Sequence, residues 1–337
     1  MTNVFVALGQ NHITNFEKLI NNNLIKKGEN ILLAGSNVIV NEDLWDEIYL
    51  SSLSFNNSAT NILNQFTSIF IKIKAYSNLI KNVRNLKNKE VTAYVSYIED
   101  VLSNYVFFSL SNKQSVVIVE DGTLNYYNHS LKNISKIKFY LKKVIAFFFS
   151  INFKKYKGHS SGAEYSFVKT QFLTFPKNAF IKKNALQLPI HKETLQNVKQ
   201  HIYIIGQESY GTIIGQNIYE NVVSEFFSKI KSHEFYKEID KIFYKPHRNG
   251  KQFSYDYLKN IFSEKEFILL NSKKTSEDIY FQELNCKYIM TLDSSTVINI
   301  YSRINEADKK KVSFFVYPKL NTNLGKMFSN LKFNFLK

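Results

Sequence analysis

Glu120, Asp121 and Gly122 follow Val116 to Val119, a run of four β-branched residues in a chain otherwise rich in lysine. A continuous β-branched run reads as a strand covered on both faces. The two acids then fall at its carboxyl end, where Gly122 permits the tight turn or positive φ required there. Partial burial of one carboxyl beside a second raises its pKa, which suits a general base; the same pair could instead cap a following helix, TLNYYNHSLKN. A second stretch, FYKPHRNG (243 to 250), gathers Lys245, His247 and Arg248 after another short strand. Such a turn suits a phosphate, with histidine able to donate a proton near neutral pH; the plain alternative is an exposed basic loop. In YIMTLDSSTVINIYSRI (288 to 304), a strand leads into Asp293, Ser294 and Ser295 and then into a helical pattern. Hydroxyls and free N–H groups at a helix start form an anion site, although Asp293 or Ser294 could serve only as an N-cap.

Other signals are weaker. Gly206, Gly211 and Gly215 in YIIGQESYGTIIGQ (203 to 216) match neither dinucleotide nor Walker spacing; Gln207, within it, is counted among the substrate-binding candidates. His12, His129, His159, His191, His201 and His233 are dispersed, without the spacing of a metal centre. HSSGAE (159 to 164) resembles a nucleophile elbow only superficially. Cys286 is the only cysteine, which excludes an intrachain disulfide and cysteine-based zinc sites and fits a reducing compartment.

The elements that must position these residues alternate from end to end. Short apolar runs, NVFVAL (3 to 8), NILLAG (30 to 35), VTAYVSYI (91 to 98) and SVVIV (115 to 119), are separated by helical patterns such as NFEKLINNNLIKK and NILNQFTSIFIKIKAYSNLIKNV. A similar series restarts at residue 201, with HIYIIG, KIFYK, FILLN, KYIMTL and VSFFVY as strands. This alternation predicts parallel sheets flanked by helices. Two consecutive series predict two Rossmann-like domains, 1–190 and 191–337, facing each other across a central cleft, with a linker near LQLPIHKETLQ (186 to 196). Ligands in such sheets bind beyond the carboxyl ends of the strands.

Composition sets the outer bounds. With 337 residues, of which 44% are hydrophobic, the chain can bury a sizeable core. The 44 Lys and Arg against 28 Asp and Glu leave a formal charge of +16, which implies an anionic partner or simply a solvated lysine-rich surface. The apolar run VIAFFFSINF (144 to 153) is about half of what a bilayer span requires, and the amino terminus lacks the pattern of a secretory signal. A cytoplasmic location is expected. KIKFYLKKVIAFFFSINFKKYKG (136 to 158) sets an aromatic centre between lysine clusters; it reads either as a peripheral contact with an anionic inner membrane or as a core helix with snorkelling lysines.

The order Glu120-Asp121-Gly122, then His247 in YKPH, then Ser294-Ser295 resembles the acidic-acidic-Gly, His-Pro and Ser-Ser motifs of bacterial sialyltransferases, the group of lipooligosaccharide sialyltransferases and capsular polysialyltransferases. One departure is that Arg248 follows His247, whereas the family has proline there; here Pro246 precedes it. The resemblance implies a GT-B fold with an acceptor domain carrying the base, followed by a donor domain binding CMP-sialic acid. It implies an inverting transfer of sialic acid to a hydroxyl of a surface glycan, without a metal or other cofactor. Glu120 would take the acceptor proton while His247, Ser294, Ser295 and Lys245 stabilise the departing phosphate. Asp121 would orient Glu120 or Gly122, with Asp121 and Gly122 counted among the substrate-binding residues, and Glu277 would bind the ribose hydroxyls. Acceptor contacts would come from variable loops of the amino-terminal half, including the region of Asn11 and His12. Rival readings are a transferase using another nucleotide sugar, a basic nucleic-acid-binding protein and a catalytically dead assembly factor. The lack of any nucleic-acid-binding sequence pattern speaks against the second.

Overall fold

The computed structural model describes residues 1–337 apart from 37, 54–61, 131–134, 248, 273, 320–321, 337 and the side chains of 62–65. The chain divides into two compact units, Met1–Pro189 and Ile190–Lys337.

The first unit holds a seven-stranded sheet: β1 (Thr2–Ala7), β2 (Glu29–Ala34), β3 (Glu47–Leu50), β4 (Glu90–Val95), β5 (Lys113–Val119), β6 (Val168–Leu173) and β7 (Ala185–Gln187). Their spatial order is β3-β2-β1-β4-β5-β6-β7, with every pairing parallel. β1 is buried along its whole length because both faces are covered. Val4 and Val6 face a core shared with helices Ile62–Val83, Val101–Ser109 and Lys136–Phe148. Phe5 and Ala7 face the opposite core, closed by Ile13, Phe16 and Leu19 of helix Gln10–Asn21. There Phe5 stacks on Tyr94 at 4.2 Å and meets Trp45 edge-on at 5.0 Å, an offset geometry that suits ring quadrupoles.

The second unit repeats the plan with β8 (Lys199–Ile205), β9 (Lys241–Lys245), β10 (Glu266–Leu269), β11 (Cys286–Thr291), β12 (Ser313–Val316) and β13 (Asn334–Phe335). Their order is β10-β9-β8-β11-β12-β13, again all parallel. Cys286 is fully buried on β11, and burial pushes its thiol pKa up. Each unit is thus a Rossmann-like α/β layer structure in which strand order reverses beside the first strand: between β1 and β4, and between β8 and β11. Crevices open beyond the carboxyl ends of strands at such reversals.

Several elements differ from expectation. β3, β6, β7 and β13 belong to no predicted strand; β7 and buried Leu188 take up the first residues of the stretch expected as linker, and the boundary between the two units falls within the same stretch, after Pro189. Among the described residues of TLNYYNHSLKN there is a single 3-10 turn, Gly122–Tyr126, after which Tyr127 is extended; the last three, 131 to 133, lie outside the described residues. That turn is fixed by tertiary bonds, with the Tyr126 hydroxyl donating to Glu120 and accepting from the Phe175 N–H at 3.0 Å. Arg248 lies outside the described residues.

Candidate active site

In the first unit the two acids after β5 part company. Glu120 is only 3% exposed. Its Oε1 accepts from the Thr174 hydroxyl at 2.9 Å, and its Oε2 takes the Tyr126 hydroxyl and the Thr174 N–H. Burial pushes its carboxyl up to about 7 despite these donors, which pull the other way. Asp121 turns outward with its side chain 32% exposed, and its Oδ1 lies 2.9 Å from His12 Nε2. Neither acid caps a helix through its side chain; the Asp121 N–H donates to Asn125 Oδ1 at 3.2 Å. Gly122, at φ +55°, makes the left-handed turn that leads the chain away from the acids.

His12 starts from β1. Its ring is buried on the first turn of helix Gln10–Asn21, where Nδ1 accepts the Leu8 N–H at 3.2 Å. That acceptor role assigns the hydrogen to Nε2, so the ring donates to Asp121. The alternation that sends Val117 and Val119 toward this helix, carried one step further, brings Asp121 to the same side.

The loops after β4 and before β6 add polar groups around this pair. Tyr97 lies edge-on to His12 at 6.3 Å, and its phenol pKa is raised by burial first, then by the charges of Asp100 and, after it, Asp121. His129 Nδ1 lies 3.4 Å from Glu99 and 2.8 Å from the Ser160 hydroxyl. His159 contacts the Ser161 hydroxyl at 2.8 Å and the Tyr127 carbonyl at 3.0 Å. Burial raises the Glu99 carboxyl and lowers the His159 imidazole. Three histidines that are dispersed in sequence, His12 on a helix and His129 and His159 in loops, therefore all make polar contacts within one unit. Even so, no group of three or more His, Cys, Asp or Glu among the described residues is arranged to hold a metal.

In the second unit the remaining candidates lie at or beyond the carboxyl ends of β8, β9, β10 and β11. Gln207, after β8, is buried and accepts the Asp293 N–H at 2.8 Å, joining the two strands at the point of reversal. Ser294 is the N-cap of helix Ser295–Arg303, its hydroxyl accepting from the Thr296 N–H at 3.3 Å. Ser294 and Ser295 are half-exposed there, beside a helix start that attracts anions. His247 lies beyond β9 with its Nδ1 3.1 Å from both the N–H and the carbonyl of Asn249.

The turn carrying His247 is anchored by a residue the sequence does not single out. Glu208 is fully buried, accepts the Tyr244 hydroxyl at 2.5 Å and takes the His247 N–H at 2.6 Å. Burial raises its carboxyl. Its only sequence signal is an acid two residues past the apolar strand HIYIIG. Lys245 instead donates to the carbonyls of Ser272 and, at 3.5 Å, Leu270, and burial lowers its ammonium pKa. It braces β9 against the loop after β10. Glu277 accepts from Asn299 at 2.8 Å, tying helix Ser276–Ile279 to helix Ser295–Arg303, and its carboxyl is raised by burial.

No protein-family profile matches the chain, and no curated protein matches it in sequence. Among solved structures it is similar to a Photobacterium 2,6-sialyltransferase in complex with CMP and lactose, at 12% identity and a TM-score of 0.49, over 100% of this chain and 78% of that one. It is also similar to a sialyltransferase from Photobacterium damselae at 13% identity and a TM-score of 0.45, over 98% and 97% of the two chains. MurG of Acinetobacter baumannii gives 11% identity and a TM-score of 0.43, over 98% and 82%. With scores at this level, the reading of the site rests on its own residues.

Proposed function

We propose that the chain is an inverting glycosyltransferase of GT-B type that moves sialic acid from CMP-sialic acid to a glycan hydroxyl without a metal. The observation that carries this reading is the outward Asp121 with its His12 partner at 2.9 Å, beyond the sheet of the first unit. The second unit, taken by itself, carries Gln207, His247, Ser294 and Ser295 just past the carboxyl ends of β8, β9 and β11, polar groups of the kind a nucleotide phosphate needs.

In this proposal the proton acceptor is Asp121, not Glu120 as the motif order suggests. A base must touch the acceptor hydroxyl, whereas both oxygens of Glu120 are occupied by internal donors. Glu120 becomes a positioning residue that fixes the loop after β5 through Thr174 and Tyr126. His12 donates to Asp121 and holds it toward solvent. The acceptor oxygen, losing its proton to Asp121, attacks the anomeric carbon as the bond to CMP breaks, through an oxocarbenium-like state. Charge gathering on the departing phosphate is met by His247, the Ser294 and Ser295 hydroxyls and the first N–H groups of helix Ser295–Arg303. Lys245, pinned to carbonyls, acts on the shape of the turn, and Glu277 is assigned to the ribose hydroxyls.

A donor screen tests this. Release of sialic acid or its transfer to a galactoside from CMP-sialic acid, abolished in Asp121→Asn and His247→Ala, is the expected result. Turnover of UDP- or GDP-sugars without any use of CMP-sialic acid would replace the donor class, and no turnover with any nucleotide sugar would sink the enzyme reading.

A further inference from the structure

Helix Lys136–Phe148 turns the wrong side outward for a helix in water. Its inner face, with Ile145 and Ala146 buried, packs into the first unit. The opposite face presents Ile137 (81% exposed), Tyr140, Val144, Phe147 (77%) and Phe148 (76%). Positions 137, 140, 144, 147 and 148 fall on one stripe at helical spacing, where a solvated helix carries charge. The stripe continues onto the neighbouring helix Ile62–Val83, where Phe66, Phe70 and Ile71 are exposed and Phe70 meets Phe149 at 5.3 Å. Contiguous exposed apolar surface of this kind marks an interaction site.

The charge around the stripe selects its partner. Residues 136 to 158 contain seven lysines and no acid. Lys136, Lys143, Lys155 and Lys157 are exposed, and among the described residues none of them is in an ion pair. A second copy of this face would set lysine against lysine, which disfavours self-association. Phenylalanines on one side and lysines along the rim suit the boundary between headgroups and acyl chains in a membrane bearing anionic lipid. Among the described residues no helix is long and apolar enough to cross a bilayer, so the contact is one of lying on the surface.

We propose that the first unit docks on anionic lipid bilayers through helix Lys136–Phe148 and the adjoining Phe66 and Phe70, with Phe147 and Phe148 entering the acyl boundary. The inner face of the same helix bears on the candidate site: Lys142 Nζ donates to the Glu99 carbonyl at 3.2 Å, in the loop after β4. Docking therefore brings that loop within about one helix diameter, roughly 10 Å, of the lipid surface. If the transferase reading holds, an acceptor sugar carried on a lipid comes within reach; lipid binding itself does not depend on that reading.

Co-sedimentation of the full chain with vesicles of phosphatidylcholine alone, and of phosphatidylcholine with phosphatidylglycerol, tests the proposal without any activity assay. Binding to the anionic vesicles is expected, weakened by salt. The double substitution Phe147→Ser, Phe148→Ser should reduce partitioning by at least about tenfold, and Lys136→Glu, Lys143→Glu should reduce it selectively on anionic vesicles. Both pairs are surface changes, so an unchanged thermal melt verifies folding. A wild type that stays in the supernatant with both vesicle types would overturn the proposal. So would variants that pellet like the wild type. A dimer by light scattering that the phenylalanine pair dissociates would assign the face to a second copy instead.

Discussion

Glu120→Gln should stabilise the protein above neutral pH. The Glu120 carboxyl is raised from its ordinary value of 4.5 to about 7, chiefly by burial. In the unfolded chain it loses its proton near 4.5; in the folded chain it keeps it to about 7. Between these values unfolding releases a proton, so a rise in pH favours the unfolded state. The folded protein is therefore unpenalised below about pH 4.5, loses stability up to about pH 7 and carries the full penalty above it. The gap corresponds to about 3 kcal/mol at 1.36 kcal/mol per pH unit. Glutamine fits the same bonds. Its oxygen can accept from the Tyr126 hydroxyl and the Thr174 N–H, while its amide donates to the Thr174 hydroxyl, which can rotate to accept. Urea unfolding at pH 5, 6, 7 and 8 reads the difference between variant and wild type, which cancels the other raised carboxyls, Glu99, Glu208 and Glu277. The variant should match the wild type near pH 5 and exceed it by about 1 to 3 kcal/mol at pH 8. A flat difference across this range, or a variant less stable at pH 8, would refute the account of Glu120 as a buried positioning residue.

Asp121→Asn should lower kcat for sugar transfer by at least about a hundredfold while CMP affinity by calorimetry stays within about twofold, and His12→Ala should lower kcat less; a freely turning-over Asp121→Asn enzyme would contradict the assignment. Ser294→Ala removes the N-cap of helix Ser295–Arg303 and should cost about 1 kcal/mol in urea unfolding, with weaker CMP binding in the same protein. Gly250 has φ +102°, and a Cβ there would lie 2.2 Å from the Glu208 carbonyl oxygen. Gly250→Ala should lower stability by about 1 to 3 kcal/mol and loosen the His247 turn, seen as a raised KM for the donor.

How much of this was legible depended on whether local pattern and tertiary setting agreed. β9 has the bounds of the apolar run KIFYK, and all three chemistry-bearing motifs do lie at strand ends, since parallel central strands must be apolar and their ends cannot be. β6 escaped because Lys169, Thr170 and Gln171 interrupt its apolar pattern; the Gln171 amide instead ties the following loop through the carbonyls of Ile181 and Lys183. β7, three residues at the edge of its sheet, carries too little pattern to read. The inward turn of Glu120 and outward turn of Asp121 was hidden because Thr174 and His12, which decide it, lie 54 and 109 positions away in the chain. Likewise, nothing local distinguishes Glu208 from a surface acid until Tyr244 closes over it.

The lone thiol on β11 gives the second unit its own unfolding reporter. Cys286 has no solvent access in the folded state, so an alkylating reagent modifies it only when that sheet opens. The labelling rate in native buffer thus measures the opening of Ile190–Lys337 separately from Met1–Pro189, which has no cysteine to react. A CMP-sugar that slowed this labelling would show which half of the molecule it holds shut.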